Sequence, residues 1–260
     1  MKKLIIGNKS QISNYFPENY LRVSSKEIPH WVFGLDYDEV HLPFGINIKG
    51  LSKKEYMDIN YYKMLDVALY FSKISKKVIV YSTCELWSNC TGGIDIETPF
   101  NFIEDPYITS KYEMTEKIKS WGRKNIKIVY PFNFNSTYRS KDFLFGKVFH
   151  SIINKEKIEI GNTYYNRDIL HAKWVAKNCQ KVEEDTIIGS GQMIFVNKFI
   201  RDIYKSFDLD YDEYVTENLN TYTTKMNEYF LKLNKPAYDY EQLLYDTIDD
   251  IKTFKRIKHI

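Results

Sequence analysis

Tyr107 and Lys111 stand four residues apart in the run Tyr107-Ile108-Thr109-Ser110-Lys111, at the head of a helical pattern that extends to Trp121. On a helix that spacing puts the phenol and the ammonium on one face. A cation beside a phenol, whose ordinary pKa is about 10, favours the phenolate, so the pair can move protons near neutral pH. Upstream, the β-rich run Val78-Ile79-Val80-Tyr81 leads into Ser82-Thr83-Cys84-Glu85-Leu86-Trp87. Open α/β sheets bind ligands at the carboxyl ends of their strands. A hydroxyl there can hydrogen-bond a substrate oxygen while Tyr107 moves the proton. Each pattern also has a plain structural reading: a Tyr–Lys surface pair in a chain rich in both, and a strand end with turn-forming Ser and Thr. No His, Cys and carboxylate cluster has metal-ligand spacing, and His171 reads as core or strand packing.

The elements that would position these residues are legible as short apolar runs. Leu4 to Gly7, Tyr20 to Ser24, Glu39 to Leu42, Lys77 to Ser82 and Ile126 to Pro131 each read as a strand. Between them, Ser52 to Ser75 places Tyr56, Ile59, Lys63, Val67 and Phe71 near helical period, with Asn60 and Met64 beside the stripe. Strand–helix alternation predicts an α/β chain with a Rossmann-type, doubly wound parallel sheet. Beyond residue 132 the spacing predicts a helix over 141–154, a strand over 156–160, a helix over 168–180 and a strand over 186–191 ending in a glycine turn. The last forty residues read as polar and helical with a basic tail. Residues 1–135 are thus expected to form a dinucleotide-binding domain. Residues 136–260 are expected to form mainly a small C-terminal α/β substrate lobe over the strand ends, with segments returning to the first domain.

Composition is that of an ordinary globular protein. The 260 residues are 43% hydrophobic and 27% charged, with a net charge of +3 spread along the chain rather than blocked. That disfavours a nucleic-acid partner. No stretch approaches a membrane span or a signal peptide. Three cysteines without CxxC spacing read as free thiols in a reducing compartment, so a cytoplasmic protein is expected.

Taken in chain order, the motifs resemble the extended short-chain dehydrogenase/reductases, the NAD(P)-dependent nucleotide-sugar epimerases, dehydratases, decarboxylases and reductases. Val78 to Trp87 is similar to that family's strand ending in S-[ST]-x-x-[VL]-Y, and Asp105 to Lys111 to its N-P-Y-x-x-S-K. Ile128 to Asn135 resembles the segment ending N-V-Y-G-P, Arg167 to Ala172 resembles R-D-F-x-x-V, and Ile187 to Gly191 the late N-x-G-S-G turn. Val40-His41-Leu42 and Asn60 match the V-I-H-L-A-A strand and the Asn of the following helix. The likeness covers most of the chain. It implies that Thr83 orients substrate, that Tyr107 is the acid/base, and that Lys111 both tunes Tyr107 and holds the cofactor ribose. Glu85 falls where dehydratases and decarboxylases often carry a glutamate, and Cys84 where some dehydratases have aspartate. Arg167 is implied as a substrate-phosphate contact, Asn133 as a substrate contact, and Leu42 and Asn60 as cofactor contacts. A homodimer is usual for the family.

The chain departs from the family at its front. Of the expected G-x-x-G-x-x-G, the register Gly7-Asn8-Lys9-Ser10-Gln11-Ile12-Ser13 keeps only the first glycine, leaving Gly7, Ser10, Gln11 and Ile12 as the candidate pyrophosphate loop. The Ser-Gln-Ile-Ser run is also similar to the G-Q-[VI]-G of 4-keto-sugar reductases. The strand at Tyr20 ends in Ser24-Ser25-Lys26, without the acid that holds an NAD ribose; Ser24 and Lys26 suit the phosphate of NADP better than NAD. The stretch from there to Val40 is short, so a strand and a helix are expected to be missing and the sheet reduced. Three readings follow: a sugar-nucleotide epimerase/dehydratase working through a transient 4-keto intermediate, an NADPH-dependent 4-keto-sugar-nucleotide reductase, and a catalytically silent Rossmann-like binding module.

Overall fold

The computed structural model describes residues 2–48, 50–220 and 228–258. The first half runs β1 (Lys3–Ile6), β2 (Tyr20–Val23), β3 (Tyr37–Leu42), α1 (Lys53–Tyr56), a π-helical segment (Met57–Lys63), α2 (Met64–Ile74), β4 (Ser75–Tyr81), β5 (Gly92–Ile94), α3 (Pro106–Ser120) and β6 (Ile126–Pro131). The second runs β7 (Asn133–Asn135), α4 (Leu144–Asn154), β8 (Ile158–Gly161), β9 (Asn166–Arg167), β10 (Ile169–His171), α5 (Ala172–Cys179) and β11 (Thr186–Ile188). It ends with β12 (Ile194–Phe195), α6 (Val196–Lys205), α7 (Tyr211–Tyr214), β13 (Val215–Asn218), β14 (Tyr229–Leu231) and α8 (Tyr240–Lys258). No helix of the described residues is long and apolar enough to cross a membrane.

The chain divides into two compact units, the first made of Met1–Ser88, Ile96–Pro131 and Lys173–Ile188. Its centre is a six-stranded, all-parallel sheet in the order β2-β1-β3-β4-β6-β11, a Rossmann-type arrangement. Leu4, Ile6, Val40, Leu42, Val78 and Val80 are buried, as expected of strands covered on both faces. In the six-stranded form of this fold the third strand lies outside the second. Here β2 is the edge strand, and only a short 3-10 turn (His30–Gly34) separates it from β3. The sheet has lost the strand and helix that the short sequence interval predicted.

The link between β1 and β2 is reduced as well. A five-residue 3-10 turn, Gln11–Tyr15, stands where a Rossmann fold carries its first long helix. Arg22 in β2 secures it: its guanidinium donates to the carbonyls of Ser13 (3.1 Å), Phe16 (2.6 Å), Pro17 (2.9 Å) and Tyr20 (3.0 Å). One side chain thereby satisfies carbonyls that a continuing helix would have bonded internally.

One face of the sheet carries a polar row in register across four strands, Tyr20, Lys3, Glu39 and Lys77. Glu39 accepts from the Tyr20 hydroxyl at 2.6 Å and bonds His41 Nε2 at 2.7 Å, while His41 Nδ1 lies 2.8 Å from the Tyr81 hydroxyl. Burial pushes the Glu39 carboxyl up, but the bonds from His41 and Tyr20 outweigh it and hold it down at about 2. Burial lowers the His41 pKa, so a neutral imidazole donates to Glu39 and accepts from Tyr81. Every charge in the row is thereby paired or bonded, as a buried polar group requires.

The second unit comprises Asn89–Asp95, Phe132–Ala172 and Gly189–Ile260. Its strands form four two-stranded pairs: β7 with β10, β8 with β13 and β5 with β14 in parallel, and β9 with β12 antiparallel. In α6 the residues Val196, Phe199, Ile200, Ile203 and Tyr204 are all buried, the i, i+3, i+4 stripe of a helix facing a core. Asp168, fully buried, accepts from the amides of Ser190 (2.8 Å), Gly191 (3.3 Å) and Leu231 (3.1 Å), joining the glycine turn to β14.

Two expectations need correcting. The helix over 168–180 begins only at Ala172, because Asn166–Arg167 and Ile169–His171 are drawn into ladders with β12 and β7. The last forty residues are not uniformly helical: Tyr229–Leu231 pairs with Gly92–Ile94, and among the described residues of this stretch the helix is Tyr240–Lys258. Residues 221–227 and 259–260, including the tip of the basic tail, lie outside the described residues. Arg22→Ala is expected to reduce the free energy of unfolding by about 2–4 kcal/mol, since four charge-assisted bonds are lost; thermal and urea unfolding measure this.

Candidate active site

Tyr107 and Lys111 are brought to the carboxyl edge of the sheet by the start of α3. Asp105 caps that helix, accepting from the amides of Tyr107 (2.9 Å) and Ile108 (3.2 Å), and Pro106 occupies the first turn where no amide is needed. Ile108, Met114 and Ile118 bury the apolar face. Tyr107 is half-buried, its ring 6.0 Å from that of Tyr56, and Ser110 Oγ donates to the Tyr107 carbonyl at 2.7 Å.

Lys111 is only 4% exposed, and its ammonium donates to the main-chain carbonyl of Tyr81, the last residue of β4, at 2.8 Å. Burial lowers its pKa to about 8. The space over it is confined by Gly45: a Cβ there would meet Asn60 Oδ1 at 3.0 Å and Lys111 Nζ at 3.3 Å, on a backbone with φ +157°. Asn60, in the π-helical segment, is fully buried. Its Oδ1 accepts from the Ile46 amide (2.8 Å), and its Nδ2 donates to the Ile46 carbonyl (3.0 Å) and Ser110 Oγ (3.2 Å). Asn60 therefore clamps the loop after β3 to α3. Leu42, fully buried, ends the strand from which that loop departs.

Beyond Tyr81 the chain turns sharply. Ser82 is tied to α3 through Thr115 (Oγ to Oγ1, 2.9 Å), and Thr83 caps the 3-10 turn Cys84–Trp87 by accepting from the Glu85 amide at 3.2 Å. That leaves the Thr83 hydroxyl proton to be donated elsewhere. Glu85 is half-buried and Cys84 buried within the turn, against which α3 packs. One edge of the first unit thus assembles Thr83, Glu85, Tyr107 and Lys111.

The front loop supplies another part of the same unit. Gly7 has φ +117°, and a Cβ on it would meet Phe44 Cβ at 3.0 Å. The amides of Gly7 and Asn8 both go to the Val23 carbonyl, and the Ser10 amide goes to that of Gly7. Fewer amides are therefore left for an anion than in a glycine-rich cradle, and the 3-10 turn is too short to bring a helix dipole to bear. Ile12 is buried in the core, whereas the Oε1 of Gln11 is buried without a hydrogen-bond partner. That orphaned acceptor fits a bound group with N–H or O–H donors, such as a nicotinamide dinucleotide. Ser24 and Lys26 lie just past β2, half-buried and exposed.

Asn133 and Arg167 belong to the second unit. Asn133 is exposed at the start of β7. Arg167, half-buried, lies with its guanidinium 5.0 Å over the Tyr165 ring and donates to the Asn166 carbonyl at 3.2 Å. Reading the sequence did not single out Gly45, Ser110 or Asp105 for roles. Asp105 was detectable as an Asp-Pro helix start; Gly45 had no local signal, because its neighbours come from residues 15 and more positions away.

No protein-family model and no curated protein matches the chain. Solved structures do share its fold at low identity. A UDP-N-acetylglucosamine 4-epimerase from Methanobrevibacter ruminantium M1, in complex with UDP-N-acetylmuramic acid, superposes with a TM-score of 0.82 at 15% identity over 100% of both chains. A dTDP-glucose 4,6-dehydratase from Bacillus anthracis, in complex with NAD, gives 0.77 at 15% identity over 98% of each chain. RMD from Pseudomonas aeruginosa, complexed with NADPH, gives 0.74 at 14% identity over 97% of this chain and 100% of that one.

Two substitutions probe the geometry. Because Lys111 titrates lower when folded than when unfolded, the native state binds fewer protons between about pH 8 and 10, so stability rises with pH across that window. Lys111→Met is expected to unfold with roughly 1–3 kcal/mol more free energy than the parent at pH 7, an advantage that shrinks towards pH 10. Denaturant titrations at the two pH values test this. In the second unit, Asp168→Asn places an NH2 against at least the Ser190 amide and is expected to cost about 2–4 kcal/mol, read by the same titrations.

Proposed function

We propose that the chain is an NAD(P)-dependent enzyme of the extended short-chain dehydrogenase/reductase type, a sugar-nucleotide epimerase/dehydratase working through a transient 4-keto intermediate. The observation that carries this reading is the buried Lys111 ammonium, held on the Tyr81 carbonyl one helical turn from Tyr107 and two residues before Thr83. Burying a charge there is costly and serves no evident packing purpose. The shared fold with an epimerase and a dehydratase that act on sugar nucleotides supports the same reading.

The division of labour follows from the groups. Thr83 donates its hydroxyl proton to the substrate oxygen at C4. Tyr107, one helical turn from Lys111, accepts the proton of that hydroxyl as the carbonyl forms, and returns it when the ketone is reduced. A nicotinamide dinucleotide, when bound, supplies the hydride exchange at carbon. Gln11, Leu42, Asn60, Gly45 and Lys111 would hold it on the first unit, with Gly7, Ser10 and Ile12 shaping the loop at its phosphates. Glu85 is assigned the removal of a proton from a carbon adjacent to the ketone, the step that separates a dehydratase from an epimerase. Arg167 and Asn133 are assigned to the nucleotide diphosphate and the substrate. Dinucleotide binding is assigned to residues 1–135 and substrate binding mainly to 136–260.

A second reading, an NADPH-dependent 4-keto-sugar-nucleotide reductase, is favoured by Ser10-Gln11-Ile12-Ser13 and by Cys84 in place of a dehydratase aspartate. The two are separated by cofactor turnover. Offered UDP- and dTDP-sugars, the first enzyme changes the sugar without net change in nicotinamide absorbance; net loss of that absorbance with a 4-keto sugar nucleotide replaces it with the second. Tyr107→Phe is expected to lower turnover by about 10²–10⁴-fold. Undiminished conversion by that variant removes Tyr107 from its role, and absence of any Tyr107-dependent conversion across the panel leaves a silent binding module.

A further inference from the structure

Tyr107, Lys111 and Thr115 follow one another at intervals of four along α3 and so share a face of that helix. Two of the three turns are fastened to the end of β4. Lys111 donates to the Tyr81 carbonyl at 2.8 Å, and one turn further on the Thr115 hydroxyl lies 2.9 Å from that of Ser82. Both hydroxyls are buried, Thr115 completely. A threonine inside a helix can return its proton to the carbonyl four residues back. Thr115 instead bonds across to the strand. Two hydroxyls buried together must bond each other to offset their desolvation, whereas apolar side chains of the same size would fill the space without that requirement. Packing alone therefore does not explain the pair.

What the bond fixes is a distance. Ser82 is followed directly by Thr83, the cap of the turn Cys84–Trp87, and Thr115 stands two helical turns along α3 from Tyr107. A single bond between helix and strand end, the one from Lys111, leaves a pivot about that bond. A second bond one turn away removes the pivot. We propose that Thr115 is a positioning residue, whose bond to Ser82 holds Thr83 at the separation from Tyr107 that proton transfer requires. The inference rests on the reading of Thr83 and Tyr107 as the groups that handle the substrate proton, and it adds a residue to that reaction. Thr115, without exposed surface, acts only through Ser82. A misplacement of about 1 Å between reacting groups costs on the order of 10²-fold in rate, so a bond that contributes little to folding can matter greatly to turnover.

Steady-state kinetics of the full chain test the proposal, on UDP-glucose and dTDP-glucose with NAD and on a 4-keto sugar nucleotide with NADPH. Thr115→Val keeps the volume and removes the hydroxyl; it is expected to lower kcat about 10- to 100-fold at unchanged KM. Thr115→Ser, which restores a hydroxyl, is expected to recover most of that loss. Ser82→Ala is expected to reproduce it, and the double variant to be no slower than either single one, because all break the same bond. Affinity for NADH and NADPH, read by calorimetry, is expected to stay at the parental value throughout. Parental kcat in Thr115→Val, a loss carried by KM, no recovery in Thr115→Ser, or losses that multiply in the double variant overturns the inference and leaves Tyr107 and Thr83 in their roles. Loss of the parental circular-dichroism spectrum in both Thr115→Val and Ser82→Ala makes the bond a folding contact and overturns it likewise. Absence of Tyr107-dependent conversion of all three substrates overturns the underlying reading and the inference together.

Discussion

A primary ammonium buried to 4% exposure, and donating to a main-chain carbonyl in the folded chain, sets the terms for everything around it. Leaving such a charge without a bond would cost several kcal/mol. The Tyr81 carbonyl is available to Lys111 only because β4 ends there and the chain turns away at Ser82 and Thr83. Tyr81 is itself steadied from the opposite side of the strand, its hydroxyl bonded to His41 and through it to Glu39. The constraint reaches the next loop too, where a side chain at Gly45 would crowd the ammonium and Asn60 Oδ1. Strand end, helix start and crossing loop are thus mutually dependent through one nitrogen atom.

The polar row under the sheet and the Lys111 bond handle buried charge differently. Glu39 sits among Tyr20, His41, Lys3 and Lys77, so its charge is stabilised and its carboxyl held low. Lys111 meets a dipole rather than a countercharge, and burial dominates. The first arrangement holds strands together; the second leaves Lys111 with its pKa lowered to about 8 by burial.

Strand positions in the first unit could be read from the sequence because each central strand is buried on both faces and therefore written as a nearly unbroken apolar run, as in Val78 to Tyr81. The second unit was harder. Its strands are two to four residues long, so Asn166–Arg167 and Ile169–His171 carry no periodic signal and were absorbed into the helix that follows them. Tyr229–Leu231 becomes a strand only through its partner at Gly92, more than a hundred residues away. Among the site residues, Tyr107, Lys111 and Thr83 were visible because their spacing is local. Gly45 and the Ile46 clamp arise from tertiary proximity, which no short window records.

The π-helical segment between α1 and α2 has a consequence for how this chain can vary. A π turn accommodates one more residue than an α turn, usually by a single insertion. Asn60 lies within it, with Tyr56 before it against Tyr107 and Val67 and Phe71 after it in the core. Those two groups can each face inward only while the wider turn keeps them in phase. Removing one residue would restore a regular helix and rotate one side against the other by about 100°, so this stretch, although on a helix surface, is closed to changes in length. The residue count there is a structural parameter of the fold.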